Sequence, residues 1–182
     1  MFSIDDTIVA IASARGPAAR GIVRISGAQM LDCVAAVFTA DEPDVCLPAL
    51  RSARRVSGRI ALRGLGSPLT AALYLWPTAR SFTRQPIAEI HTVGAPPLLD
   101  AIVAALAEQG ARPAGPGEFT LRAFLAGRID LTQAEAVLGV IDATGERDLQ
   151  VALTQLAGGV GGALQRLRDA LADLLAELEA GL

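Results

Sequence analysis

The sequence predicts an α+β chain, with a mixed-sheet domain over residues 1–117 and an all-helical segment over residues 118–182. Three observations carry that division. Before residue 115 the chain reads as short strand-like runs separated by Gly and Pro. At Gly115-Pro116-Gly117 it breaks, because neither residue type continues a regular element cheaply. After Asp130, Leu131, Ala134, Val137, Leu138 and Ile141 recur at the spacing of one buried helical face.

The elements follow in order. Ile4 to Ala12, rich in β-branched residues, predicts a first strand, and Gly21 to Ser26 a second, with a loop over residues 13–20. Met30 to Phe38 suits a short helix with Leu31, Val34, Ala35 and Phe38 on one face. Pro43 and Pro48 mark residues 40–50 as loop. Arg54 to Leu62 and Leu69 to Trp76 read as a hairpin turned at Gly64 and Gly66, and Ile87 to Thr92 as a further strand. Pro97 to Gln109 is a helix with Gly110 where a C-terminal cap belongs, and residues 111–114 add an edge strand. Leu121 to Leu125 forms a short helical stretch, and Asp130 with Gln133 is close to a capping box that starts the next helix. Two more helices are expected over 143–157 and 162–180. Between them, Gly158, Gly159, Gly161 and Gly162 cost about 1 kcal/mol each in a helix interior and predict a break. In the last helix Leu164, Leu167, Leu171, Leu174 and Leu178 share a face, while its charges run against the helix dipole, as in a helix cut in mid-course.

Composition excludes several classes. A hydrophobic fraction of 52% with 19% charged residues describes a folded, soluble chain. No apolar run approaches membrane-spanning length and the N-terminus is acidic, so neither a span nor a secretory signal is expected and the reading is cytoplasmic. Cys33 and Cys46 lack metal spacing and read as reduced thiols. All sixteen basic residues are Arg. A phosphate-binding loop of the form GxxxxGK[ST] needs a Lys, so the chain is not expected to hydrolyse GTP alone. The net charge of −3 argues against tight nucleic-acid binding by the chain alone, and the run Arg51, Arg54, Arg55, Arg59 and Arg63 reads as a solvated strand edge. The single His, and the absence of any nucleophile triad or paired-carboxylate motif, leave no catalytic constellation to name.

One resemblance takes the reading further. GEFTLRAFLAGRIDLTQAEAV, residues 117–137, is similar to the pattern GEFTxRAFLNGKxDLxQAEAV of the tRNA-modifying GTPases called MnmE or TrmE. Asp6 to Ala10 with Gly21 to Gly27, and Ser81-Phe82-Thr83 with Glu89-Ile90-His91, match the same family in the same order. The resemblance covers the N-terminal part of the family architecture, whose GTPase domain, with its GTP, magnesium and potassium, lies outside the match. It implies a first domain like the folate-binding domain of aminomethyltransferases. It also implies a homodimer, an FAD-dependent partner MnmG, tRNA as substrate, and a tetrahydrofolate derivative (5-formyl- or 5,10-methylene-tetrahydrofolate) as one-carbon donor to C5 of the wobble uridine.

Carried over position by position, the folate-binding residues are Arg24, Glu89 and Arg128, the last standing where the family has Lys. The residue types fit the ligand. A reduced pterin offers an N–H and an amino group side by side, which one carboxylate accepts together, and the glutamate tail suits Arg. The pattern also departs. YTGEDVVEIHCHGG of the family is here FTRQPIAEIHTVGAP, the glycine-rich loop before Gly21 carries Ala18 and Ala19, and His91 reads as a structural strand-end residue. The alternative is therefore a stand-alone dimerisation or adaptor domain with a decayed folate site. An independent one-carbon transferase is disfavoured, because aminomethyltransferases lack the GEFTxRAF–QAEA segment.

Overall fold

The computed structural model describes residues 5–14 and 16–180. The chain divides into two compact units, residues 1–123 and 124–182, where the sequence pattern placed the change at 117.

The first unit is built on one seven-stranded sheet in the order β3-β4-β5-β6-β2-β1-β7. Its strands are β1 (Ile8–Ile11), β2 (Ala18–Ser26), β3 (Phe38–Ala40), β4 (Arg54–Ile60), β5 (Leu69–Trp76), β6 (Ile87–Gly94) and β7 (Arg112–Pro113). Every neighbouring pair is antiparallel except β1 with β7, so the sheet is mixed and the fold α+β, as the pattern predicted. Two helices, α1 (Met30–Val37) and α2 (Pro96–Glu108), supply Met30, Val34, Leu99, Ile102 and Leu106 to a core shared with Val23, Ile25, Val56, Leu73, Leu75 and Ile90. Alternation decides which side chains face that core, since successive strand residues point to opposite faces. Gly110 ends α2 at φ 103°, a conformation open to Gly at no steric cost.

Local differences from the sequence pattern have physical causes. Ile4, at the head of the expected first strand, lies outside the described residues. β2 starts at Ala18, inside the expected loop, because Ala18 pairs with Gly94 across a register irregularity that ends at Gly21. β3 follows α1 without a loop and is too short to show a period. Pairing of Phe38 with Ile60 and of Ala40 with Gly58 makes it a strand.

The second unit is helical: the end of α3 (Glu118–Leu125), then α4 (Leu131–Asp142), α5 (Glu146–Leu156) and α6 (Gly159–Ala180). At the start of α4 the Asp130 side chain accepts from the Gln133 backbone N–H at 2.7 Å, and the Gln133 side chain accepts from the Asp130 N–H at 3.0 Å, completing the capping box. The expected glycine break is narrower than its four residues. Gly158 alone turns left-handed, at φ 89°, and α6 begins at Gly159. Glycines in a first helical turn interrupt nothing, so only the residue between two helices is needed to bend the chain. Leu164, Leu167, Leu171, Leu174 and Leu178 of α6 are all exposed. Among the described residues no helix is long and apolar enough to cross a membrane.

A charged cluster on the open face of the sheet

Opposite α1 and α2, the other face of the sheet carries Arg24 and Glu89, two of the three candidate residues. Directly opposed residues on antiparallel neighbours share a face, and the register aligns Arg55, Tyr74, Glu89 and Arg24 in one row across β4, β5, β6 and β2. At one end of this face Ser26 is fully buried, and its hydroxyl shares a 2.7 Å hydrogen bond with Thr83 of the loop before β6. Beyond that end the face is half-buried rather than sealed.

Arg24 and Glu89 form a direct pair. Nε of Arg24 donates to Oε1 of Glu89 at 2.9 Å, and Nη2 lies 2.7 Å from the same oxygen. The second oxygen is held separately, by His91 Nε2 at 3.2 Å from Oε2. Side-chain exposures of 33% for Arg24, 18% for Glu89 and 14% for His91 place the trio between core and solvent. Phe119 sits under the Arg24 guanidinium at 5.7 Å from ring centroid to Cζ, a cation–π distance, and Tyr74 packs on His91 with centroids 4.5 Å apart. Burial works to raise the pKa of Glu89, but the hydrogen bonds from His91 and Arg24 outweigh it, and the carboxyl is held below its ordinary value. Glu89 is therefore an ionised acceptor at neutral pH, on a rigid strand, with acceptor capacity left on Oε2.

Arg128 belongs to the second unit, exposed in the bend between α3 and α4 and three residues beyond the end of α3. His91 lies inside β6 rather than at its end, and its partner is Glu89, two residues earlier on the same strand face. A Glu-x-His spacing within a strand is the signal for that contact, since residues two apart share a face. Most of the arginine run is paired on the surface: Arg54 with Glu42, Arg59 with Asp41, and Arg63 with Glu108. Cys33 is buried and Cys46 exposed, both free.

A second charged cluster was not singled out from sequence. Glu118 and Arg122, both nearly fully buried, stand one helical turn apart in α3 and are bonded at 2.9 Å. Arg112 of β7 grips Glu118 through two nitrogens, at 2.7 and 3.1 Å, and Asp6 through Nε at 2.8 Å. Arg122 reaches the Asp6 carbonyl at 2.6 Å, the Asp6 carboxylate, and the Gln85 side chain at 3.2 Å. The Glu-x-x-x-Arg spacing in GEFTLR is its one local signal.

A cleft of about 550 Å3 opens along β1 and α2, lined by Val9, Ile11, Leu99, Val103 and Pro113 among others. Asp100 is the only charged group among its described lining residues, so it lacks the convergent polar groups of the Arg24–Glu89–His91 cluster.

With this geometry in place, known proteins give a consistent comparison. A family profile described as "GTP-binding protein TrmE N-terminus" matches residues 7–128, a span that includes Arg24 and Glu89 and ends on Arg128. The tRNA modification GTPase MnmE of Rhodopirellula baltica is 51% identical over 183 residues, covering 98% of this chain and 38% of that protein. MnmE of a Synechococcus strain is 44% identical (97% of this chain, 38% of that protein), and MnmE of Thermus thermophilus 38% identical (98% and 40%). The chain belongs to the MnmE/TrmE family. It corresponds to the N-terminal region of those relatives and spans about two fifths of their length. Within the MnmE/TrmE framework, residues 82–86 explain one oddity of the backbone. Arg84, at φ 59°, stands where the family pattern YTGED has Gly, and it is the only non-glycine residue at positive φ among the described residues.

Proposed function

We propose that this region binds a reduced folate as one-carbon donor for modification at C5 of the wobble uridine in tRNA, and that it mediates homodimerisation. The observation that supports the reading best is the Arg24–Glu89–His91 cluster on the open face of the sheet. An ionised, half-buried carboxylate on a rigid strand, with acceptor capacity left on Oε2, suits an N–H donor of a pterin edge. Arg24 acts on the ligand through the carboxylate it holds and through its remaining guanidinium donors. Arg128 is carried by the family pattern alone and enters as a residue to test. In the same reading the protein works in the cytoplasm with an FAD-dependent MnmG partner, and GTP hydrolysis belongs to a domain outside this chain.

Calorimetric titration with 5-formyltetrahydrofolate tests the proposal. Wild type should bind saturably. Glu89→Gln swaps an acceptor oxygen for a donor and should cost about 2–3 kcal/mol, roughly thirty- to hundredfold in affinity. Arg24→Ala should weaken binding, and Arg128→Lys should leave it nearly unchanged, because Lys is the family's residue there. No saturable heat at millimolar folate would remove the folate reading in favour of a dimerisation or adaptor domain with a decayed site. Light scattering at micromolar concentration tests assembly separately: a clean monomer would count against the homodimer.

A further inference from the structure

We infer that His91 is a positioning residue that fixes the second oxygen of Glu89 and so sets the plane in which the carboxylate meets its ligand. The inference rests on the folate reading only for the identity of that ligand.

Both nitrogens of Arg24 that approach Glu89 converge on Oε1, so Arg24 fixes one oxygen and not the carboxylate plane. The terminal torsion of a Glu side chain is broad, and one anchored oxygen leaves the other free to swing. His91 supplies the second anchor at Oε2, from the same strand two residues on. A carboxylate accepts only, so Nε2 is the nitrogen that carries the proton in this contact. The imidazole is itself held. Tyr74, from the neighbouring strand, packs on it at 4.5 Å with the rings tilted by 47°. Nδ1 is buried without a hydrogen-bond partner among the described residues, so no competing contact draws the ring away from Glu89. Two anchors on separate oxygens, each on the sheet, make Glu89 a preorganised acceptor rather than a mobile one. The acceptor site left on Oε2 meets a donor of the pterin edge in the direction that this plane sets, because the bond weakens when the plane turns.

Two substitutions separate this role from simple packing. His91→Phe keeps an aromatic ring against Tyr74 and removes the donor. His91→Gln removes the ring and keeps an N–H at nearly the position of Nε2. Each full-length variant is titrated with 5-formyltetrahydrofolate, and the Glu89 carboxyl is followed by carbon NMR against pH in the ligand-free protein. Positioning predicts that His91→Phe loses about tenfold in affinity and that its Glu89 titrates at higher pH than in wild type. His91→Gln should stay within about threefold and keep Glu89 low. The reverse ranking, with Phe behaving as wild type and Gln impaired, would make His91 a packing residue and overturn the inference. An unchanged Glu89 titration in His91→Phe would overturn it as well. Should wild type take up no folate, the proposed function fails by itself, and the Glu89 titration still decides the role of His91.

Discussion

The first unit holds two clusters, each pairing arginine with carboxylate, and they differ in how much hydrogen-bonding capacity is already used. A carboxylate offers about four lone-pair sites. In Glu118 they are filled: Oε1 by Arg112 and Arg122, Oε2 by Arg112 and the Gly115 N–H. Glu118 and Arg122 are 3% and 2% exposed, and their partners lie on β7, on α3 and beside β1. Glu89, by contrast, keeps capacity on Oε2 and lies on a half-open face beside a one-third exposed Arg. The same chemistry thus serves two ends. A carboxylate with its acceptor sites filled closes a fold, and one left partly open has room for the proposed ligand.

The largest effect should come from breaking the filled cluster. Arg122→Ala leaves the buried Glu118 short of a cation and should lower unfolding stability by about 3–5 kcal/mol, read from urea denaturation. Arg24→Ala, in the open cluster, should cost about 1 kcal/mol or less, because water reaches its partner. Equal losses would erase the distinction.

Acid sharpens the contrast. Burial works to raise the pKa of Glu118, but Arg112, the Gly115 N–H and Arg122 together hold it below its ordinary 4.5. Asp6 is lowered from 3.8, mainly by its hydrogen bond from Arg112 and against the pull of burial. Carboxyls depressed by folding contribute stability that is complete above their unfolded values and is lost as pH falls through the folded ones. Urea midpoints should therefore hold between pH 7 and 5 and fall steadily below about pH 4.5. In Glu118→Gln the midpoint should be lower at pH 7 and its decline in acid shallower. A parallel decline would remove Glu118 from the cause.

A smaller effect concerns Glu89→Gln, whose stability should stay within about 1 kcal/mol of wild type while folate affinity drops. Loss of stability comparable to Arg122→Ala would place Glu89 with the scaffold. The smallest effect lies in the loop between the clusters, which gives Gln85 to one and leads into the strand of the other. Arg84→Gly relieves a left-handed backbone worth roughly 1–2 kcal/mol. It also frees the unfolded chain, which offsets about 0.4–1 kcal/mol of that gain. A net stabilisation of about 0.5 kcal/mol is expected in urea denaturation.

What the sequence by itself determined is what neighbouring residues decide. The three-and-four spacing of apolar residues after Asp130 predicts α4 as a helix, although Leu131, Leu138 and Ile141 of the face expected to be buried are exposed and Ala136 is buried instead. The Asp130–Gln133 pair caps it, and the run Leu69 to Trp76 becomes β5 with those limits. The alternation along β6 already put Glu89 and His91 on one face. The tertiary structure decided which partners those residues meet. Glu89 finds Arg24 at a separation of 65 residues, and Arg122 finds Asp6 at 116, distances over which no local period carries information. β3 and the early start of β2 likewise exist only because a neighbouring strand offers unpaired backbone groups to their short, featureless runs. Periodicity registers burial one face at a time. The register between strands far apart in sequence is settled when the sheet closes, and the register brings the charges together.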